Sequence, residues 1–159
     1  MAKFEMTMPT EVFNDLKHIY DNADYIFGGM TKAGAEVVYK NIQTNIPPSW
    51  HDSDIMHCLK ITDVYKTPSD GGINTKVAFY GYFENKQGQT VPAPLVVNVT
   101  EYGRSTSEYP KRPFMRKSFR KKEIEQAMLS AQKKLSGGIL DGGDSWSDIE
   151  ADYIRDLQR

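Results

Sequence analysis

Residues 99–119 read VTEYGRSTSEYPKRPFMRKSF, from Val99 to Phe119. An acid-aromatic-glycine turn, Glu101-Tyr102-Gly103, precedes a polar stretch, and Lys111-Arg112-Pro113-Phe114 then opens a basic segment. Gly103 permits a turn backbone that side chains disfavour. Pro113 suits a first helical turn, where its missing N–H would lack a partner anyway. From there Met115, Phe119, Ile124, Met128, Ala131 and Leu135 supply the apolar side of a helix predicted from Pro113 to about Leu135. Gly137-Gly138 reads as its stop, and Lys133 and Lys134 complement the carbonyl end of its dipole. The stretch carries none of the groups that do covalent chemistry and has the form of a docking element.

Upstream, 95–100, LVVNVT, is a strand by propensity, introduced by Pro92 and Pro94. Residues 57–65, HCLKITDVY, and 73–83, INTKVAFYGYF, alternate as strands. Pro68-Ser69-Asp70-Gly71-Gly72 and Asn85-Lys86-Gln87-Gly88-Gln89 mark turns. Ile73, Thr75, Val77, Phe79, Gly81 and Phe83 share one face of the second strand. Tyr80 and Tyr82, on the other, predict a covering element or subunit.

Further upstream, Val12, Leu16, Ile19, Ala23 and Ile26 recur at helical spacing over 9–27, and Phe13, Tyr20 and Phe27 add a second stripe. Gly28-Gly29 weakens the helix by about 1 kcal/mol per glycine relative to alanine. The pattern resumes with Ala33, Val37, Val38 and Ile42 until Pro47-Pro48 ends it. One long kinked helix, or two helices meeting at the glycines, is expected.

Downstream, a glycine-rich joint from Gly137 to Gly143 leads to Ser147-Asp148-Ile149-Glu150, which has the form of a capping box. Trp146, Ile149, Tyr153 and Leu157 fall on one side of the helix this predicts, opposite the acids.

The expected fold is α+β: a small antiparallel sheet packed against the long N-terminal helix and a C-terminal helix, with an extra C-terminal amphipathic segment. The expected division is one domain over 1–138 and a glycine-linked acidic arm over 139–159. A chain of 159 residues defaults to a single domain and can bury roughly 70% of its unfolded surface. Its 39% apolar content is on the low side, so a neighbour is expected to cover part of its surface.

The net charge of −1 does not describe a nucleic-acid polycation, but the charge is unevenly placed. Arg104 to Lys134 holds ten Lys/Arg against three Glu, whereas Asp141 to Asp156 holds six Asp/Glu against one Arg. Polar contact between these segments, within a chain or between copies, and two solvated faces both fit.

Cys58 is the lone cysteine, which excludes an intrachain disulfide and cysteine-rich zinc frameworks. The opening MAKFEMTMPTEVF lacks the apolar run of a signal peptide. No 18 consecutive apolar residues occur, so no membrane partner is expected. His51, Asp52, Asp54, His57 and Cys58 cluster in sequence without the spacing of a compact metal site. Cys58 is expected within a strand, diverging from His57 as consecutive strand residues do, and reads as a buried structural thiol. Phosphate-loop, dinucleotide and nucleophile-elbow patterns are absent. No catalytic residue, cofactor or metal is assigned, and no enzyme is read. The basic run over 111–122, with Phe114 and Phe119 interleaved, keeps a nucleic-acid-binding module as the alternative, although those two rings fit a buried stripe better than a stacking platform.

In order, the chain has a long N-terminal helix with small residues in its second half (KAGAEVVYKNIQTNIP), a two-strand region, the Glu101-Tyr102-Gly103 turn, and Arg112-Pro113-Phe114-Met115 opening a basic amphipathic helix. This order resembles the head–tail joining, or tail-completion (neck), proteins of tailed bacteriophages, with their "VEFGT…RPFLRPA"-like signature. The resemblance covers roughly residues 10–136. It departs where Ser53-Asp54 replaces a Thr-Gly, in the β-branched 92–99 stretch, and in the acidic segment after Gly138. It points to a short helix at 95–100, against propensity.

What the resemblance implies is a structural virion protein: a ring of identical subunits at the head–tail junction, with the DNA path through its lumen and no sequence-specific DNA binding. A head connector or adaptor would meet one side and a tail-tube or terminator protein the other. Assembly in the host cytoplasm would precede residence in the virion. Glu101, Tyr102, Gly103, Arg112, Pro113 and Phe114 are the candidate interaction residues, with Trp146, Ile149 and Tyr153 in the arm. Phe114 is expected to anchor the helix entry in the core, leaving Arg112 for a carboxylate, with Glu101 as candidate. A capped helix start alone explains the same residues.

Overall fold

The computed structural model describes residues 10–51, 53–104 and 110–140. It is an α+β fold in which, among the described residues, helices carry three small antiparallel ladders. The N-terminal helical region divides into α1, Thr10–Asp21, and α2, Ala23–Asn45. The break falls at Asn22, not at the expected glycines. Asn22 leaves the helical region (φ −108°, ψ 12°), and its side-chain amide donates to the His18 carbonyl at 2.9 Å. Gly28 and Gly29 lie buried inside α2. A Cβ at Gly28 would stand 3.3 Å from Val64, and one at Gly34 would stand 3.2 Å from both Ile124 and Met128. These glycines admit close neighbours, and that packing offsets their weak helix propensity.

Pro47 and Pro48 end α2 as expected. Short 3-10 turns at Pro48–Trp50 and Asp54–Cys58 lead into β1, Leu59–Ile61. The two expected strands are cut into shorter pieces: β2, Tyr65–Lys66, pairs with β3, Ile73–Asn74, while β1 pairs with β4, Val77–Phe79, in the register Leu59 opposite Phe79. β5, Tyr82–Glu84, pairs with β6, Thr90–Pro92. Gly81 separates β4 from β5 at φ +79°, in the left-handed region open to glycine. The predicted alternation survives these breaks. Phe79 is buried and Val77 and Phe83 are half-buried, while Tyr80 and Tyr82 are exposed, so none of the described elements supplies the cover expected for them.

The strand reading of 95–100 is overturned. α3, Ala93–Tyr102, is helical, with Pro94 in its first turn. Ala93, Val97 and Glu101 are its buried residues, spaced four apart on one face. Burial of that face overrides the β-preference of the valines.

The single helix predicted from Pro113 is two. α4, Met115–Ser118, gives way at Phe119 (φ −82°, ψ 75°), and α5 runs from Lys121 to Leu140. α5 also passes through Gly137-Gly138, the expected stop. Extending an existing helix across a glycine costs only about 1 kcal/mol, and buried Leu135 anchors the preceding turn.

The core is continuous. Val38 and Ile42 on α2, with Ile46 just past its end, meet Ile55, Cys58, Leu59, Phe79, Ala93, Val97 and Phe114. Trp50, Phe79 and Phe114 pack edge to face, Trp50 to Phe114 with centroids 5.4 Å apart, the geometry ring quadrupoles favour.

Candidate interaction site

Glu101 lies on the last turn of α3, 2% exposed. Its Oε2 accepts the backbone N–H groups of Phe114 at 2.8 Å and Met115 at 2.9 Å, and its Oε1 accepts that of Arg116 at 3.3 Å. The Arg116 Nε–H donates to Oε1 at 2.8 Å. A helix start leaves its first amides without internal partners. Here a carboxylate from another helix accepts them, and its charge suits the positive end of the helix dipole. Burial alone would raise the Glu101 pKa. The Arg116 guanidinium and the three amides outweigh it and hold the carboxyl below its ordinary value.

The neighbouring motif residues assemble around this clamp. Gly103 sits at φ +78°, ψ −179°, a backbone region essentially confined to glycine, and its N–H closes α3 onto the Val99 carbonyl at 2.8 Å. The exposed Tyr102 ring lies 5.2 Å from the Arg116 guanidinium carbon, within cation–π range. Pro113 is half-buried, and Phe114, 3% exposed, reaches the aromatic core.

Arg112 does not pair with Glu101. Its backbone N–H donates to the Thr100 carbonyl at 2.9 Å, and Arg116 holds the carboxylate. Helix formation begins at Met115, so residue 116 presents both its amide and its side chain to Glu101. Arg112 precedes that turn and is exposed.

Sequence reasoning missed the polar link behind α4. Ser118 is fully buried; its Oγ–H donates to the Phe114 carbonyl at 2.7 Å and accepts Asn45 Nδ2–H at 3.1 Å. Asn41 Nδ2–H donates to the Ser118 carbonyl at 3.2 Å and to Glu123 Oε2 at 3.0 Å. The Asn41 and Arg120 side chains hold the exposed Glu123 carboxyl below its ordinary value. The i, i+4 pair Asn41 and Asn45 on α2 was the available signal.

Phe119 does not share a buried stripe with Phe114. The interruption at Phe119 leaves it exposed on the rim of an apolar groove of about 490 Å³, lined also by Gly34, Ile124 and Met128. The basic run 111–122 is therefore not one continuous helix. Arg116, Arg120 and Lys121 face Glu101, Glu123 and Glu125.

The N-terminal stripe also departs from expectation. Val12, Phe13, Leu16 and Tyr20 on α1 are 45–81% exposed, and Phe27 is exposed too; of the predicted apolar positions Ile26 is buried and Ile19 and Ala23 half-buried.

Cys58 is not in a strand. It closes the 3-10 turn Asp54–Cys58, buried, with its thiol 3.6 Å from the Tyr82 carbonyl, while His51 and His57 are exposed. Among the described residues no three His, Cys, Asp or Glu are placed to hold a metal ion, and no helix is long and apolar enough to cross a membrane. Trp146, Ile149 and Tyr153 lie outside the described residues, as does the rest of the predicted arm from residue 141 onward.

No protein-family model, curated protein or solved structure matches the chain. The neck-protein resemblance is carried by its short motifs alone.

Proposed function

We propose that this chain is a structural subunit of the head–tail junction of a tailed bacteriophage, one copy in a ring that joins the head connector to the tail tube. The observation that carries a role in assembly is the α1 stripe, where Val12, Phe13, Leu16 and Tyr20 stand in solvent beside a well-packed core. Contiguous exposed apolar surface marks an interaction site, and a ring subunit needs two such surfaces. The choice of junction rests on the Glu-Tyr-Gly and Arg-Pro-Phe motifs, of which Glu101 and Phe114 meet in the clamp while the Arg112 side chain stands outside it.

Antibody labelling and mass spectrometry of purified tailed particles test this reading. Signal at the neck is expected, and so is a gene placed among capsid and tail genes. Particles complete, tailed and infectious without the chain overturn it.

A nucleic-acid module using 111–122 is the second reading, favoured by the exposed Lys111, Arg112, Lys117 and Lys122. It requires steeply salt-dependent duplex binding, and a filter-binding titration showing none at low salt dismisses it.

A further inference from the structure

A groove of about 350 Å³ lies where the end of α2 meets the segment entering α4. Ile46, Pro47 and Phe114, all buried, and Pro48 and Pro113 give it an apolar floor. Lys111, Arg112 and Lys117 stand exposed around it. None of the three makes an ion pair with a described carboxylate; the pairs nearby use Arg116, Arg120 and Lys121 instead. The groove thus combines an apolar floor with three cations open to an outside acid.

A segment of this chain has the complementary chemistry. Residues 141–159 hold six Asp/Glu against Arg155 and Arg159, and Trp146 stands two residues from both Asp144 and Asp148. An indole is a large apolar payload with a preference for pockets. The flanking acids match the cationic rim.

Helix length decides which copy supplies the segment. The twenty residues of α5 span about 30 Å at 1.5 Å per residue. The groove is at the start of α5, where Asn45 holds Ser118, and Leu140 is at the far end. Six residues from Leu140 to Trp146 reach about 20 Å at full extension. A chain's own Trp146 therefore falls short of its own groove.

We propose that the groove formed by Pro47, Pro48 and Pro113 receives Trp146 of a neighbouring copy, with that copy's Asp144 and Asp148 facing Lys111, Arg112 and Lys117. Each copy then offers one groove and one insert. This head-to-tail arrangement closes into a ring when the rotation between copies permits. The inference rests on reading the chain as an assembly subunit, and it requires no virion for its test.

The experiment mixes two full-length chains, both carrying Cys58→Ala, one with Lys117→Cys and the other with Ser145→Cys. Mild oxidation is followed on non-reducing gels and by mass spectrometry. Heterodimer is expected about tenfold above a control pairing Ser145→Cys with Lys86→Cys, and it should fall several-fold in roughly 0.5 M salt, as screened charges require. Adding Trp146→Ala to the Ser145→Cys chain should return the yield to control. Yield equal to the control in the first mixture overturns the proposal. So does a chain carrying both cysteines that links only to itself at high dilution. Protection of the Lys117→Cys thiol from alkylation by short duplex DNA, with no heterodimer formed, would make the groove a phosphate site and overturn it too. Failure here with neck labelling intact sinks only the groove; absence from particles with the cross-link intact sinks only the junction.

Discussion

Arg116 meets one oxygen of Glu101 twice, its Nε–H donating to Oε1 at 2.8 Å and its backbone N–H at 3.3 Å. Helix start and cation are thus tied to one buried carboxylate, but not equally. The amides of Phe114 and Met115 bind the other oxygen and do not depend on the arginine side chain.

Glu101→Ala should therefore cost far more than Arg116→Ala. Removing the carboxylate leaves three amides without their acceptor, a loss of about 2–4 kcal/mol. Removing the exposed arginine side chain leaves the amides satisfied and costs about 1 kcal/mol. Urea unfolding midpoints of the two variants check the order; equal losses would contradict it.

The same carboxylate makes stability depend on acid. Its pKa is held down in the folded state, so its contribution is complete above the ordinary glutamate value of about 4.3 and is lost as pH falls through the lower folded value. Denaturation between pH 6 and 2 should show stability falling on the acid side, with a shallower fall in Glu101→Gln. Parallel pH profiles would mean that other carboxylates set the acid limit.

Phe114 joins the clamp to the core. Phe114→Ala should destabilise by about 3–5 kcal/mol, since its edge-to-face contacts with Trp50 and Phe79 go with it. Phe114→Leu keeps much of the volume and should lose about 1–2 kcal/mol. Indole fluorescence during unfolding, in chains carrying Trp146→Phe so that Trp50 is the sole tryptophan, gives a direct reading of both.

Two glycines should answer alanine in opposite directions. Gly103→Ala forces a side chain into a positive-φ region and should cost about 1–3 kcal/mol. Gly137 is helical with open space where a Cβ would stand, and Gly137→Ala should stabilise by about 1 kcal/mol. Thermal melts of the pair are sufficient.

Leu16→Glu should leave the fold intact and abolish assembly through α1. The residue is 53% exposed, and exposed substitutions change stability by about 0.5 kcal/mol or less. Light scattering should show a lower mass than that of the parent chain at equal concentration, with unfolding unchanged; an equal mass would take α1 out of the interface.

Much of this architecture was legible in local pattern. Alternation placed Phe79 and Tyr82 on opposite faces, and Pro47 marked the end of α2. What failed had tertiary causes. LVVNVT became helical because Ala93, Val97 and Glu101 are buried on one face. The α1 stripe carried the periodicity of a core helix, yet periodicity cannot say whether the covering surface belongs to the same chain. At the site, Glu101 and Phe114 were recognisable, but the choice of Arg116 over Arg112 depended on the residue at which α4 begins. Nothing in the spacing of the charges encodes that start.

The clamp has a further bearing on the span between its two sides. Glu101 grips Phe114, and Arg112 N–H meets the Thr100 carbonyl, so the ends of the intervening stretch are fastened independently of what joins them. Closing a longer connection between fixed anchors adds only about 0.6 kcal/mol per doubling of its length. The spacing of α3 and α4 is accordingly held by the clamp itself, whatever length of chain links them.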